Sequence, residues 1–219
     1  MKDFAAEVHE PTSVLTGKVM LQGMLHAPAH ASAIVLFGRA TVGDRVRDEA
    51  IAAELQRHGV ALLDVMLLTE DEQHADAKIA QIRHDADFLA QRMVDCAQWI
   101  DKNGPTGHLP MGVAGCSVAA AGAIIAAGQR PDLISVVVSI NGRTDLAVDS
   151  LRKLRAPTLF VVNDMPVLRM NREALVHMKG EKRIEIIHGT DDEAVGAIVQ
   201  KSSRWFSDKL VPAEVAALV

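Results

Sequence analysis

The stretch Met111-Gly-Val-Ala-Gly115-Cys116-Ser117-Val118-Ala-Ala-Ala-Gly122 decides the fold. Its first part is small and apolar, as in a strand buried on both faces. Its last part is rich in alanine, the best helix former. Gly115 and Ser117 lie between them. A strand that breaks sharply into a helix lifts such a serine clear of the sheet edge. Ala119 stands where a turn of this kind ordinarily carries a second glycine.

Working outward, apolar runs alternate with amphipathic ones, which predicts a parallel sheet covered by helices. Before the serine turn, Lys18 to His26 reads as a strand, paired with another near Ala5 to His9. Ala33-Ile-Val-Leu-Phe37 and Val60 to Leu63 read as buried strands. Arg47 to His58 reads as a helix stopped by Gly59. Thr69-Glu-Asp-Glu-Gln-His74 is expected to be a polar, exposed loop. Ile82 to Lys102 reads as one long helix with Phe88, Leu89, Met93, Cys96 and Ile100 at helical spacing. After the serine turn come strands at Ile134 to Ile140, Thr158 to Val162 and Arg183 to Ile187. Asn171 to Met178 lies in a helix, and Ala194 to Leu210 closes the chain with Trp205 and Phe206 docking it. The prediction is an α/β fold with a mostly parallel, twisted sheet and helices on both faces. It forms a single domain over residues 1–219.

Composition excludes some functions. The 219-residue chain carries a formal net charge of −5 and no basic cluster, so a nucleic-acid or anionic-membrane surface is not expected. No apolar run approaches the roughly 20 residues of a membrane span. The N-terminus is too charged for a signal peptide. Cys96 and Cys116 give no disulfide framework, and a cytoplasmic location is expected. The nine histidines are scattered without zinc-type spacing, and no phosphate loop follows the glycines near Ser117. No metal or cofactor is predicted.

The order and spacing of several strings resemble the α/β-hydrolase fold, and within it the small, lidless group of dienelactone hydrolase. The strings are Ala33 to Phe37, Leu67-Leu-Thr-Glu70, Gly115-Cys-Ser117, Val137 to Ala147, Arg155 to Phe160, Val167 to Leu175, Lys182 to Ile187 and Trp205-Phe206. The resemblance covers most of the chain. It implies an ester or lactone hydrolase with a serine nucleophile, a histidine base and an acid that orients the base.

Ser117 holds the nucleophile position, or it caps the helix that follows. Cys116 beside it is expected to point into the scaffold. Asp164 matches the acid, or caps its own helix. The resemblance puts the family's histidine on Asp191 or Asp192, where a carboxylate is a weak base and repels Asp164. His188 is the nearest imidazole in sequence, about four residues early; it is a displaced base or a strand-end histidine. The oxyanion loop reads Gly38-Arg-Ala-Thr-Val-Gly43, with Arg39 for the family's histidine and Ala40 for a glycine. Arg39 is either solvated or paired with a carboxylate, or it offers an anion contact at the pocket mouth. The Val118 amide remains a possible oxyanion donor. The expected pocket lies between the Gly38 loop, Ser117, Asp164 and the Gly189 turn.

Two functions follow. One is a catalytically degenerate hydrolase fold that binds a small molecule or a protein partner in its strand-end pocket. The alternative is a hydrolase of a carboxylic ester or lactone using Ser117, Asp164 and a displaced base such as His188. A new activity of the Asp191 and Asp192 carboxylates is a third.

Overall fold

The computed structural model describes residues 4–42, 45–102, 106–189 and 191–211, excluding the side chains of Arg45 and Asp191. The chain begins with a hairpin, β1 (Val8–Thr16) and β2 (Val19–Ala27). Then β3 (Ala33–Arg39), α1 (Arg45–Arg57), β4 (Val60–Met66), α2 (Glu70–Ile79) and α3 (Ala86–Lys102) follow. The second half contains β5 (Met111–Cys116), α4 (Val118–Gln129), β6 (Ile134–Ile140), α5 (Val148–Leu151) and β7 (Thr158–Val162). It ends with α6 (Met165–Leu175), β8 (Lys182–Ile186) and α7 (Asp191–Leu210).

These strands form one eight-stranded sheet in the order β1-β2-β4-β3-β5-β6-β7-β8. The hairpin runs antiparallel to its neighbours, and β4 through β8 in that order are parallel. Side chains alternate across the sheet with a period of two. On β3, Ile34 and Leu36 face the core under α3 and α4, while Val35 and Phe37 face Ile51 and Leu55 of α1 and Phe206 of α7. Helices therefore cover both faces, as the sequence predicts for an α/β-hydrolase fold.

The central helix α4 is buried along Val118 to Ala127. Its run of alanines lets it lie close over β5. A Cβ built on Gly115 would sit 2.7 Å from the Ala119 carbonyl carbon and oxygen, so only glycine fits there. Ala119 at the second glycine position is itself buried and accommodated.

Several local expectations are corrected. The stretch predicted as a loop at Thr69 to His74 is the start of α2. Thr69 accepts from the Glu72 amide at 3.2 Å, and Glu72 accepts from the Thr69 amide at 2.8 Å, a reciprocal cap that satisfies two donors. The helix expected from Ile82 starts at Ala86; Ile82–His84 forms a separate 3₁₀ turn. The buried Asp76 carboxylate breaks the run by accepting from the Ile82 and Arg83 amides at 2.6 and 3.2 Å. The helix placed at Asn171 to Met178 runs instead from Met165 to Leu175, because Asp164 caps it and Pro166 occupies its first turn. The partner of β2 is Val8–Thr16 rather than Ala5 to His9.

Candidate active site

Ser117 joins β5 to α4 with φ 53° and ψ −121°, a conformation that costs a non-glycine residue on the order of 1–3 kcal/mol. The strand next door holds it there. Its amide donates to the Ile140 carbonyl at 3.0 Å, and its carbonyl accepts from the Arg143 amide at 3.1 Å. The side chain is exposed and does not cap α4. The cap reading fails, and the hydroxyl makes no hydrogen bond to any described residue.

A cavity of about 130 Å³ opens beside it. Arg39, Ala40, Ser117 and Val118, all singled out from the sequence, line this cavity. So does Cys116, which does not turn fully into the scaffold. Arg47, Arg83 and His84 complete its charged and titratable lining. Asp164, His188 and Asp192, expected in the same pocket, are not among the residues that line it.

The three arginines are each tied to a buried aspartate. Arg39 Nε lies 2.6 Å from Asp64 Oδ1, Arg47 Nη2 lies 2.7 Å from Asp48 Oδ1, and Arg83 Nε lies 3.1 Å from Asp76 Oδ2. Arg39 thus pairs with a carboxylate, as one sequence reading proposed, and it also borders the cavity. Asp64 lies in the middle of β4, whose every residue is buried. Burial pushes its carboxyl up to about 6, and the charge and hydrogen bond of Arg39 offset only part of that. A larger cavity of about 340 Å³ also borders Arg39, with His9, His26, Asp48, Glu49 and Asp64 in its wall. There His9 and His26 meet through their Nδ1 atoms at 2.9 Å. Burial, then His9, lowers the His26 pKa.

The remaining predicted residues stand apart. Asp164 is exposed and caps α6, accepting from the Val167 amide at 3.4 Å. His188 is exposed just past β8 and makes no side-chain hydrogen bond to a described residue. Asp192 is exposed in the first turn of α7, where carboxylates favour the helix dipole. Asp191 opens that helix, and its side chain lies outside the described residues.

The fold matches the dienelactone hydrolase of Anabaena variabilis ATCC 29413 with a TM-score of 0.88 and 36% sequence identity, over 93% of this chain and 99% of that one. The chain belongs to the dienelactone-hydrolase-like α/β-hydrolases. Est1E of Butyrivibrio proteoclasticus shares the fold at a TM-score of 0.71 and 12% identity, over 90% of this chain and 96% of that one. A curated protein of Mycobacterium tuberculosis (strain H37Rv), provisionally named a phosphoribosyl transferase, is 32% identical over 210 residues. The match takes in 92% of this chain and 46% of that protein, so the chain spans about half the length of this relative. No protein-family model matches the chain.

Arg47, Arg83 and His84 line the cavity without being candidates in the sequence, where Arg47 reads as a helix start and Arg83 and His84 as part of a long helix. Arg47 carries a signal. An arginine in the first turn of a helix opposes the macrodipole, so it needs a partner such as Asp48. Arg83 follows Asp76 by seven positions across a turn, and no periodic pattern announces that pair.

Proposed function

We propose that this chain is a dienelactone-hydrolase-like protein that binds a small ligand at Ser117 and does not carry out serine–histidine–acid ester hydrolysis. One observation supports this most. The Ser117 hydroxyl is exposed at a strained elbow, yet no described imidazole hydrogen-bonds to it, and Asp164 is occupied as a helix cap. A serine hydroxyl without a base attacks slowly, because it holds its proton near neutral pH. The position that the resemblance gives to the base carries Asp191 or Asp192. The two free cysteines, one buried, fit a reducing cytoplasmic setting.

A fluorophosphonate probe and a panel of small activated esters test this reading. Labelling at Ser117 should be slow, with no turnover that Ser117→Ala removes. Fast stoichiometric labelling that Ser117→Ala abolishes overturns it.

A second reading keeps the enzyme, as a hydrolase of a carboxylic ester or lactone. It is favoured by His84, which lines the Ser117 cavity and makes no side-chain hydrogen bond to a described residue. Catalytic hydrogen bonds often tighten only when substrate is bound. On this reading His84→Ala, and not His188→Ala, removes labelling and turnover.

A further inference from the structure

We propose that His9 and His26 form a binding site for a divalent transition-metal ion, separate from the Ser117 cavity and independent of what Ser117 does.

The hairpin register makes the site. His9 and His26 are 17 residues apart in the chain, so no ligand spacing shows in the sequence. The pairing of β1 with β2 sets them directly opposite each other. Their Nδ1 atoms converge to 2.9 Å, with the two rings at 73°. That distance admits two occupants. One is a single proton, held by one nitrogen and accepted by the other. The other is a metal ion that draws on both Nδ1 lone pairs, each ring keeping its proton on Nε2. An imidazole nitrogen lies about 2.0–2.1 Å from such an ion. Two nitrogens at right angles around it are then roughly 2.8–3.0 Å apart, and two at a tetrahedral angle roughly 3.3–3.4 Å. The 2.9 Å between His9 and His26 matches neighbouring positions of a square or octahedral ion. Zinc, which prefers a tetrahedron, needs the two nitrogens to part by about 0.4 Å.

The surroundings favour an ion over a bond that merely ties the strands. Nine cross-strand partners, from Val8 to Thr16, already hold the hairpin. Both imidazoles border the cavity of about 340 Å³, which has room for the water that completes an ion's coordination. Asp48, Glu49 and Asp64 stand in the same wall, and the Glu49 charge acts on His26 from α1. Arg39 also borders this space, but it is tied to Asp64. Imidazole ligands select nickel, copper and zinc over magnesium and calcium, which prefer oxygen. Among the described residues no group of three or more ligating side chains stands together. The ion is therefore held by two nitrogens and by water, so it exchanges with solvent and does not fasten the fold.

Isothermal titration calorimetry of the full, untagged chain with nickel(II) chloride tests this, with magnesium chloride as the control. One nickel ion should bind per chain at micromolar concentration, and magnesium should not bind there. His9 is exposed, so His9→Gln should keep the fold. It should weaken nickel by at least the roughly tenfold lost when a residue supporting a metal ligand is removed. His26→Gln should weaken it as much; if that buried position does not tolerate the change by circular dichroism, His9→Gln decides alone. His74→Gln, at an exposed histidine of α2, should change nothing. Electron paramagnetic resonance with copper(II) counts the ligands: two coordinated nitrogens in the wild type, and fewer in His9→Gln. Three outcomes overturn the site: no nickel binding at millimolar concentration, nickel binding unchanged in the folded His9→Gln variant, or a copper spectrum that this variant leaves as it was.

Discussion

Two junctions between a strand and a helix both take a positive φ, with different residues. At the end of β8, Gly189 has φ 121°. At the end of β5, Ser117 has φ 53°. The first turn uses glycine, the residue for which such an angle is cheap. The elbow keeps a side chain and carries the strain. Their surroundings differ too. Ser117 is bonded to the end of β6 through its amide and to Arg143 in the turn after β6 through its carbonyl, and α4 is packed onto Gly115 beneath it. His188, Gly189 and Asp192 are exposed. Packing therefore fixes the elbow whatever its chemistry. The β8–α7 turn is exposed, and it is where the resemblance puts the family's histidine and this chain carries Asp191 and Asp192. Strain retained at Ser117 is the kind that folding keeps only when surrounding structure enforces it, and it is a reason to look for a role for the hydroxyl.

The largest expected effect tests whether packing holds the elbow. Gly115→Ala would put a Cβ 2.7 Å from the backbone of Ala119, and backbone in a buried helix cannot yield as a flexible side chain can. Overpacking of this kind should destabilise by about 3 kcal/mol. For a domain of this size that lowers the melting temperature by roughly 6–12 °C. Gly189→Ala should cost less: it adds the strain of φ 121°, on the order of 1–3 kcal/mol, but its nearest neighbour is the Glu193 side chain rather than backbone. Equal losses at the two glycines, measured by denaturant unfolding, would break the comparison.

The next effect lies beside the elbow. Asp64 is raised in the fold to about 6 from an ordinary 3.8. Between those values the folded protein holds a proton that the unfolded chain has lost. The contribution of Asp64 to stability is thus fully present below about pH 4 and is lost as pH rises through about 6. The shift of about two units sets an upper bound of about 3 kcal/mol. Asp64→Asn should remove this component from the stability–pH curve, while a change at Asp192 should leave it. A wild-type curve and an Asp64→Asn curve that stay parallel from pH 4 to 6.5 would show that Asp64 is not the group titrating there.

What the sequence disclosed follows the same division. The strands and α4 were legible because burial on both faces demands continuous apolar residues. The elbow was legible because its small residues have no other use in that order. The start of α2 reads as a loop because Thr69 to His74 is polar throughout, yet Thr69 and Glu72 have capping-box spacing. The cationic cavity was not legible as a unit. Arg39, Arg47 and Arg83 are far apart in the chain, and only the sheet order brings β3, β4 and β5 together beneath them. Asp164 and His188 were chosen by position relative to strands, and position does not say where an exposed side chain points.

The smallest effect addresses the strain itself. Ser117→Gly removes the Cβ that makes φ 53° and ψ −121° costly, a gain on the order of 1–3 kcal/mol. Glycine also frees the unfolded chain, which offsets roughly 0.5–1 kcal/mol of that gain. The net expectation is stabilisation by about 1 kcal/mol, read as a rise of roughly 2–4 °C in melting temperature. Ser117→Ala keeps the Cβ, so it should leave stability nearly unchanged. The pair separates backbone strain from any loss of the hydroxyl. If both variants are neutral, the elbow stores no strain, and the contrast with Gly189 is one of sequence only. If Ser117→Gly alone is more stable, the strain belongs to the Cβ, and the chain holds a hydroxyl in that place at a cost to its stability.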